Sequence, residues 1–253
     1  MRNNKDIIKL DYSKTKEFFN NRFAKYNENN PYAVTMYQDN HPELVEYRNN
    51  AETKKLIPLL KINEHSRILD VGCGIGRFAD SIGHGIEYYL GVDFEEGFIK
   101  VANERKIDER HQFEAITANE VASRCANGML RKFNRILMIG ILVYFNDDDI
   151  PSLLSDVYEC LDDSSVICVR EPIAIEDRLT LSQEFSEELN DEYNAIYRTK
   201  EELLNFFDEA FLSKGFIVTE EAFLFDNPEL NNRKETAQYY FIMERKSKKE
   251  YKE

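Results

Sequence analysis

The chain has 253 residues, a hydrophobic content of 42% and a formal net charge of −14 at pH 7. This length fits one domain with added segments, and such a negative charge would repel phosphates, which argues against a nucleic-acid partner. No stretch approaches the roughly 18 consecutive apolar residues that a membrane span needs.

The start of the sequence and its cysteines favour a cytoplasmic protein. The first residues, MRNNKDIIKLDYSK, lack the apolar core of a signal peptide. Cys73, Cys125, Cys160 and Cys168 have no CxxC spacing. We therefore expect neither disulfides nor a bound metal.

Residues 1–62 are predicted to form a helical cap. Within residues 13–28, Phe18, Phe19 and Phe23 recur at helical spacing. This helix would lie either on the edge of a sheet or over a ligand as a lid.

A polar turn follows in AVTMYQDNHPE, where Tyr37 and His41 are candidates to cover a bound ligand. The next helix is expected to begin near Pro42, with Asn40 or His41 as its cap, and to run towards Leu60.

A glycine-rich turn follows the predicted strand 67–71 in the stretch SRILDVGCGIGRFA. Glycines at 72, 74 and 76 let the backbone approach a ligand without a Cβ in the way. The N-terminus of a helix beginning near Gly76 would present N–H groups to a carboxylate or phosphate. Arg77 occupies the position where the dinucleotide fingerprint needs a small residue, so the spacing argues against NAD.

A second apolar strand, 87–93, ends in Asp93, which lies 23 positions after Asp70. An acid at the tip of a second strand, at about this distance, can bind both hydroxyls of a ribose. Two further stretches follow in order, HQFEAITANEVA and FNRILMIGILVYFND.

These four stretches, in this order, resemble the motifs of class I S-adenosylmethionine-dependent methyltransferases. The resemblance implies an α/β, Rossmann-like fold: a seven-stranded, mostly parallel sheet with an antiparallel last strand, helices on both faces and an N-terminal helical cap. It also implies S-adenosylmethionine as the cofactor and S-adenosylhomocysteine as its product. The cofactor contacts that it implies are Asp70, Gly72, Cys73, Gly74, Asp93, Phe94, Phe98, Ala118, Asn119 and Ile139.

Alternating strands and helices are expected through residues 63–175, the cofactor-binding half. The predicted strands are 67–71, 87–93, 112–117 and 134–141, and the predicted helices are 76–82, 95–105 and 119–124. The acids at 147–149, followed by Pro151, predict a helix start with an Asp cap. We expect a substrate-specific insertion and a helix in residues 176–212, a hairpin in 213–246 and a solvated tail in 247–253.

The stretch SVICVREPI is the fifth predicted strand. The substrate pocket is expected beyond the carboxyl ends of strands four and five, because ligands of open parallel sheets bind there. That position nominates Tyr144, Arg170 and Glu171. The insertion adds Arg198 as a clamp for an anionic group, unless it pairs with a glutamate of the following helix. The full predicted substrate-binding set is Tyr37, Arg170, Tyr193, Asn194, Tyr197 and Arg198.

Methyl transfer chiefly needs the reacting atoms held in line, and a base is needed only if the acceptor is a hydroxyl. Tyr144, Glu171 and His41 are the candidate bases, with no choice among them.

Over the whole chain, REPIAIEDRLTL, NAIYRT and TAQYYFIMERK resemble methyltransferases of bacterial capsule and surface-polysaccharide gene clusters. This resemblance implies a methyl group moved to an O or N of a small anionic metabolite, phosphorylated or nucleotide-linked. The alternatives are an S-adenosylmethionine-binding protein without catalysis and an RNA methyltransferase. No oligomeric state is predicted.

Overall fold

The computed structural model describes residues 8–37 and 41–245, together with the backbone of residues 2–3. The predicted tail 247–253 and the proposed cap Asn40 lie outside these ranges. The helices are α1 (Tyr12–Ala24), α2 (Ala33–Met36), α3 (Pro42–Leu59), α4 (Arg77–Ile82), α5 (Glu96–Arg105), α6 (Ala118–Ala126), α7 (Ile150–Glu159) and α8 (Lys200–Ala210). The strands are β1 (Arg2–Asn3), β2 (Arg67–Val71), β3 (Tyr88–Val92), β4 (His111–Glu114), β5 (Phe133–Ile139), β6 (Leu161–Ala174), β7 (Leu179–Ser186), β8 (Asp191–Tyr197), β9 (Ile217–Phe223) and β10 (Thr236–Arg245). Short 3₁₀ helices cover Leu142–Tyr144, Leu212–Lys214 and Pro228–Leu230.

The main sheet has seven strands in the order β4-β3-β2-β5-β6-β10-β9. The first five run parallel, and β10 inserts antiparallel between β6 and β9. This arrangement confirms the predicted seven-stranded, Rossmann-like sheet with an antiparallel last strand.

Helices cover both faces of this sheet because its parallel strands are apolar on both sides. Ile68 of β2 packs in one core with Leu56 of α3, and helices α4 and α5 contribute to the same layer. Its neighbour Leu69 points the other way, into a core that contains Val121 of α6 and Phe207 of α8. Successive residues of one strand therefore hold the two layers of helices.

A second, three-stranded sheet in the order β1-β7-β8 occupies much of the predicted insertion. Leu179 and Leu181 of β7 are buried, whereas the acidic residues that follow lie on its exposed side. We predicted an insertion here but no strands, because the acidic side chains hide the apolar ones.

Helix α1 lies across the carboxyl ends of the strands and does not lie on a sheet edge. The ring of Phe18 contacts Tyr193 of β8 with centroids 5.3 Å apart. On the other side, Phe19 contacts Phe94, which follows β3, at 5.3 Å. The helix thus joins the small sheet to the tip of the main sheet.

Polar side chains that follow β5 anchor the N-terminal segment. Asn146 accepts a hydrogen bond from the Leu10 N–H at 2.7 Å, and Asp149 accepts one from the Tyr12 hydroxyl. Asp149 is the N-cap residue of α7, with Pro151 in the first turn, as predicted, but its side chain makes no cap bond. Its carboxylate instead binds the start of α1.

Gly97 is where α1 packs most closely on α5. A Cβ at this position would lie 2.6 Å from a ring carbon of Phe23. Gly97→Ala should lower the free energy of unfolding by about 1–2 kcal/mol when Phe23 is present, because the ring has to move. Urea unfolding of the wild type, Gly97→Ala, Phe23→Ala and the double variant measures this coupling. An equal effect of Gly97→Ala in both backgrounds would show that the two residues do not press on each other.

Candidate active site

A cavity of about 440 Å³ lies beyond the carboxyl ends of the strands. Its walls come from the turn after β2, the tips of β3, β5 and β6, and helices α1, α2 and α3. Of the predicted site residues, Gly72, Gly74, Asp93, Phe94, Phe98, Ala118, Asn119, Ile139, Tyr37, Tyr144, Arg170, Tyr193 and Tyr197 line this cavity.

The glycine turn is built for close approach. Gly72 has a φ of 73°, and a Cβ there would lie 2.3 Å from the Ile141 side chain. Gly74 has a φ of 54°, and a Cβ there would lie 2.9 Å from Thr35 of α2. Both are left-handed conformations that other residues adopt only with strain. The turn therefore depends on glycine, and its backbone forms the wall of the cavity.

Asp93 lies beside this turn and is tied to it. Its carboxylate accepts hydrogen bonds from the N–H groups of Gly74, at 2.9 Å, and Glu95, at 3.0 Å. Burial raises the pKa of Asp93 to about 6, although the hydrogen bonds from these N–H groups lower it. The two predicted strand tips are thus joined, because the backbone of the turn after β2 donates to the carboxylate that follows β3.

Asp70 and Cys73 are buried behind the turn and do not line the cavity. Asp70 accepts a hydrogen bond from the Tyr89 hydroxyl at 2.5 Å. Burial raises the pKa of Asp70 to about 7 and that of the Cys73 thiol well above its ordinary value. We predicted that these two side chains contact the cofactor. This is corrected: they support the turn from behind.

The wall on the β3 and β4 side is formed by Phe94, Phe98, Ala118 and Asn119. The Asn119 amide donates to Asp156 of α7 at 3.2 Å. Asp156 also lines the cavity and was missed, because it lies far along the chain from the other residues of this wall.

Three tyrosine hydroxyls meet in the wall under α1. The Tyr144 hydroxyl donates to that of Tyr37 at 2.9 Å and lies 3.0 Å from that of Tyr193. Burial raises the pKa of Tyr37 to about 12 and those of the other two well above the ordinary value. These groups are therefore neutral hydrogen-bonding groups and not bases.

Glu171 and His41, the other candidate bases, do not line the cavity. The Glu171 carboxylate accepts hydrogen bonds from three consecutive backbone N–H groups, those of residues 141–143. The His41 side chain is 58% exposed and lies 3.5 Å from Glu43. Both assignments are corrected: Glu171 shapes the turn after β5, and His41 is the exposed N-cap residue of α3, without a side-chain cap bond.

Arg198 and Asn194 also lie outside the cavity. The Arg198 guanidinium is buried and pairs with Asp147, and it donates to the carbonyls of Leu142 and Phe145 at 2.8 and 2.6 Å. The Asn194 amide oxygen accepts from the Gln183 N–H at 2.8 Å. The prediction that Arg198 is an anion clamp is thus corrected. Its side chain links the end of β8 to the loop after β5.

A buried charged group next to Arg170 was missed by sequence reasoning. Glu52 and Arg48 of α3 both line the cavity, with side chains almost fully buried. Glu52 pairs with Arg170 and, at 2.7 Å, with Arg77 of α4. The sequence does contain a polar stripe at positions 48, 49, 52 and 53. A solvated helix face has the same spacing, so the stripe did not indicate burial.

Comparisons with known proteins agree with this architecture. Residues 69–167 match the model of a family described as "Methyltransferase domain". A comparison with curated proteins found no match.

Solved structures of the same fold include phosphoethanolamine N-methyltransferase 1 from Haemonchus contortus, in complex with phosphoethanolamine and S-adenosylhomocysteine. It is 15% identical with a TM-score of 0.68 over 90% of this chain and 47% of that one. This chain thus spans about half the length of the Haemonchus protein. Magnesium protoporphyrin IX methyltransferase from Synechocystis PCC 6803, with bound S-adenosylmethionine, is 11% identical with a TM-score of 0.60 over 96% and 100% of the two chains. An S-adenosylmethionine-dependent methyltransferase from Leishmania major is 14% identical with a TM-score of 0.62 over 93% and 87%.

The match over residues 69–167 and the solved structures confirm the predicted Rossmann-like methyltransferase fold. Within the described residues, no helix combines the length and apolar character needed to cross a membrane.

Arg198→Ala should lower the free energy of unfolding by about 3–5 kcal/mol, because it leaves buried carbonyls and part of a buried ion pair without a partner. Arg131→Ala is the matched control, since its side chain is 72% exposed in a surface pair with Glu87, and should cost about 0–1 kcal/mol. Chemical denaturation measures both. Full stability of Arg198→Ala would restore the original prediction that this arginine serves a ligand.

Asp70 also predicts a pH dependence of stability. Because its folded pKa of about 7 exceeds the ordinary 3.8, the folded protein binds more protons between these values. This contribution to stability is complete at low pH and is lost as the pH rises through 7, by about 2–4 kcal/mol. Asp70→Asn should remove it. Unfolding free energies at about pH 5 and 8 test this, and an unchanged difference in the variant would contradict it.

Proposed function

We propose that this protein is a methyltransferase, which binds S-adenosylmethionine in the cavity and moves its methyl group to an O or N of a small anionic acceptor, phosphorylated or nucleotide-linked. The observation that carries the proposal is the meeting, in one cavity, of the Gly74 turn, the Asp93 carboxylate and the Arg170 guanidinium. We extend it, from the resemblance alone, to a cytoplasmic role in capsule or surface-polysaccharide biosynthesis.

The residues of the cavity suit the cofactor. Asp93 can accept hydrogen bonds from both ribose hydroxyls, Asn119 can bind the adenine edge, and Phe94 can pack on the adenine. Gly72 and Gly74 line the cavity without a side chain, which leaves room for the methionine part. When bound, S-adenosylmethionine would supply a methyl group on a sulfonium, and the neutral thioether S-adenosylhomocysteine would be the leaving group.

The protein's part in the reaction is to position the acceptor and exclude water. Helix α1 covers the cavity with Phe19, whose ring centroid lies 5.0 Å from that of Tyr144. Tyr37, Tyr144 and Tyr193 are neutral at physiological pH and orient the acceptor by hydrogen bonds. None of the described histidines lines the cavity, so positioning, and not proton removal by histidine, carries the proposal.

Two observations support a small anionic acceptor. The cavity places guanidinium groups inside a chain of net charge −14, where an anion would otherwise be repelled. The Haemonchus protein of the same fold holds phosphoethanolamine, which is small and phosphorylated. Incubation with labelled S-adenosylmethionine and a panel of phosphorylated and nucleotide-linked metabolites tests the acceptor class. Transfer only to RNA, or binding without any transfer, would favour one of the two alternatives.

Asp93→Ala should weaken S-adenosylhomocysteine binding by about 2–4 kcal/mol, because two hydrogen bonds to an ionised group are lost. Asp163→Ala, which removes an exposed acid at the opposite end of the sheet, is the control and should bind as the wild type does. Titration calorimetry measures both. Affinity of the wild type should also fall as the pH drops below about 6, since protonation removes an acceptor.

Equal affinity in Asp93→Ala, or tight binding of NADH by the wild type, would overturn the assignment of the cofactor site.

A further inference from the structure

The part of the cavity against α3, β6 and β10 differs from the rest because it is lined by buried charged and amide groups. Arg48 and Glu52 come from α3, Arg170 from β6, Gln238 from β10 and Asn232 from the loop between β9 and β10. Arg170 donates to Gln238 at 3.0 Å. We call these five residues the polar end of the cavity.

Positive charge is in excess here. The guanidinium groups of Arg48, Arg77 and Arg170 surround one carboxylate, that of Glu52, which pairs with Arg77 and Arg170. Arg48 has no ion pair with any described acid. Of these three guanidinium groups, only that of Arg48 lacks a carboxylate partner among the described residues.

Arg48 is the group without a full set of partners. It is 3% exposed, and its Nε atom has no hydrogen-bond partner among the described residues. Its Nη1 donates to the Asn232 side chain, and its guanidinium lies 5.6 Å from the centre of the Phe225 ring. Burial, with Arg170 and Arg77 nearby, lowers the pKa of Arg48 to about 10, which leaves it charged at neutral pH.

A buried cation without an anionic partner destabilises a folded protein, and an oxyanion bound beside it would offset this cost. An arginine fork matches the geometry of a carboxylate or phosphate. We propose that Arg48 and Arg170 bind an oxyanion, a carboxylate or phosphate, carried by a molecule in the cavity. The inference rests on the proposed function, because it names the group that this cavity recognises.

The oxyanion can belong to the acceptor or to the methionine part of the cofactor. Asp93 follows β3 and Arg170 lies in β6, with β2 and β5 between them in the sheet. Three strand spacings, about 14 Å, therefore separate these two positions. If the ribose binds at Asp93, the polar end lies beyond β5 as seen from the ribose. This position favours the acceptor as the molecule that carries the oxyanion.

The experiment compares the wild type, Arg48→Gln and the matched control Arg131→Gln. Melting temperatures are measured with increasing inorganic phosphate against chloride at equal ionic strength, with and without saturating S-adenosylhomocysteine. We expect phosphate to raise the Tm of the wild type and of Arg131→Gln, and not that of Arg48→Gln.

A second measurement distinguishes the two sources. The Kd of S-adenosylhomocysteine is compared with that of 5′-methylthioadenosine, which lacks the carboxylate. If the acceptor carries the oxyanion, both values in Arg48→Gln stay within about threefold of the wild type. If the cofactor carries it, only the S-adenosylhomocysteine affinity falls, by about tenfold or more.

Equal phosphate responses together with equal S-adenosylhomocysteine affinities in Arg48→Gln and the wild type would overturn the oxyanion site. Loss of the phosphate response in Arg48→Gln alone, with no S-adenosylhomocysteine binding by any of the three proteins, would overturn the proposed function and keep the site. If Arg48→Gln does not fold, Arg48→Lys replaces it. This variant keeps the charge without the planar fork and should show a smaller Tm shift, and a full shift would overturn the proposal.

Discussion

The ion cluster centred on Glu52 holds the parts of the site in place. Its carboxylate joins α3, which precedes the glycine turn, to Arg77 in the helix that follows the turn and to Arg170 in β6. Taking such groups out of water costs free energy, so the cluster is weak evidence for stability by itself. Its effect is on geometry, because it fixes a helix of the N-terminal segment against two elements of the sheet.

The same segment closes the other side of the cavity with aromatic rings. Phe18 packs on Tyr193, and Phe19 packs on Phe94 and Tyr144, so that α1 contacts both sheets. The hydrogen bonds that Leu10 and Tyr12 donate to Asn146 and Asp149 fix the start of this helix. Rings and anchoring bonds together make the N-terminal helix part of the site and not an appendage of the sheet.

Sequence reasoning predicted the sheet and the turn because their signals are local. Gly74 and Asp93 could be found from the glycine spacing and from the end of an apolar strand, and both line the cavity. Arg198 could not be placed in this way, since its partner Asp147 lies 51 residues earlier in the chain. Arg48 could not be placed either. A polar stripe on a helix has the same spacing whether it faces solvent or is buried, and its burial depends on charged groups that other elements supply. The two strands β7 and β8 were missed for a related reason, as their exposed acids mask the buried positions.

The insertion of β10 between β6 and β9 has a consequence for biosynthesis. Until residues 236–245 have left the ribosome, β6 has one edge without a hydrogen-bonding partner, and its central residues, Ile167, Cys168 and Val169, are fully buried in the finished fold. Such an apolar open edge can pair with other chains and aggregate. Because β10 also carries Gln238, the strand that protects the nascent sheet is the one that completes the polar end of the cavity.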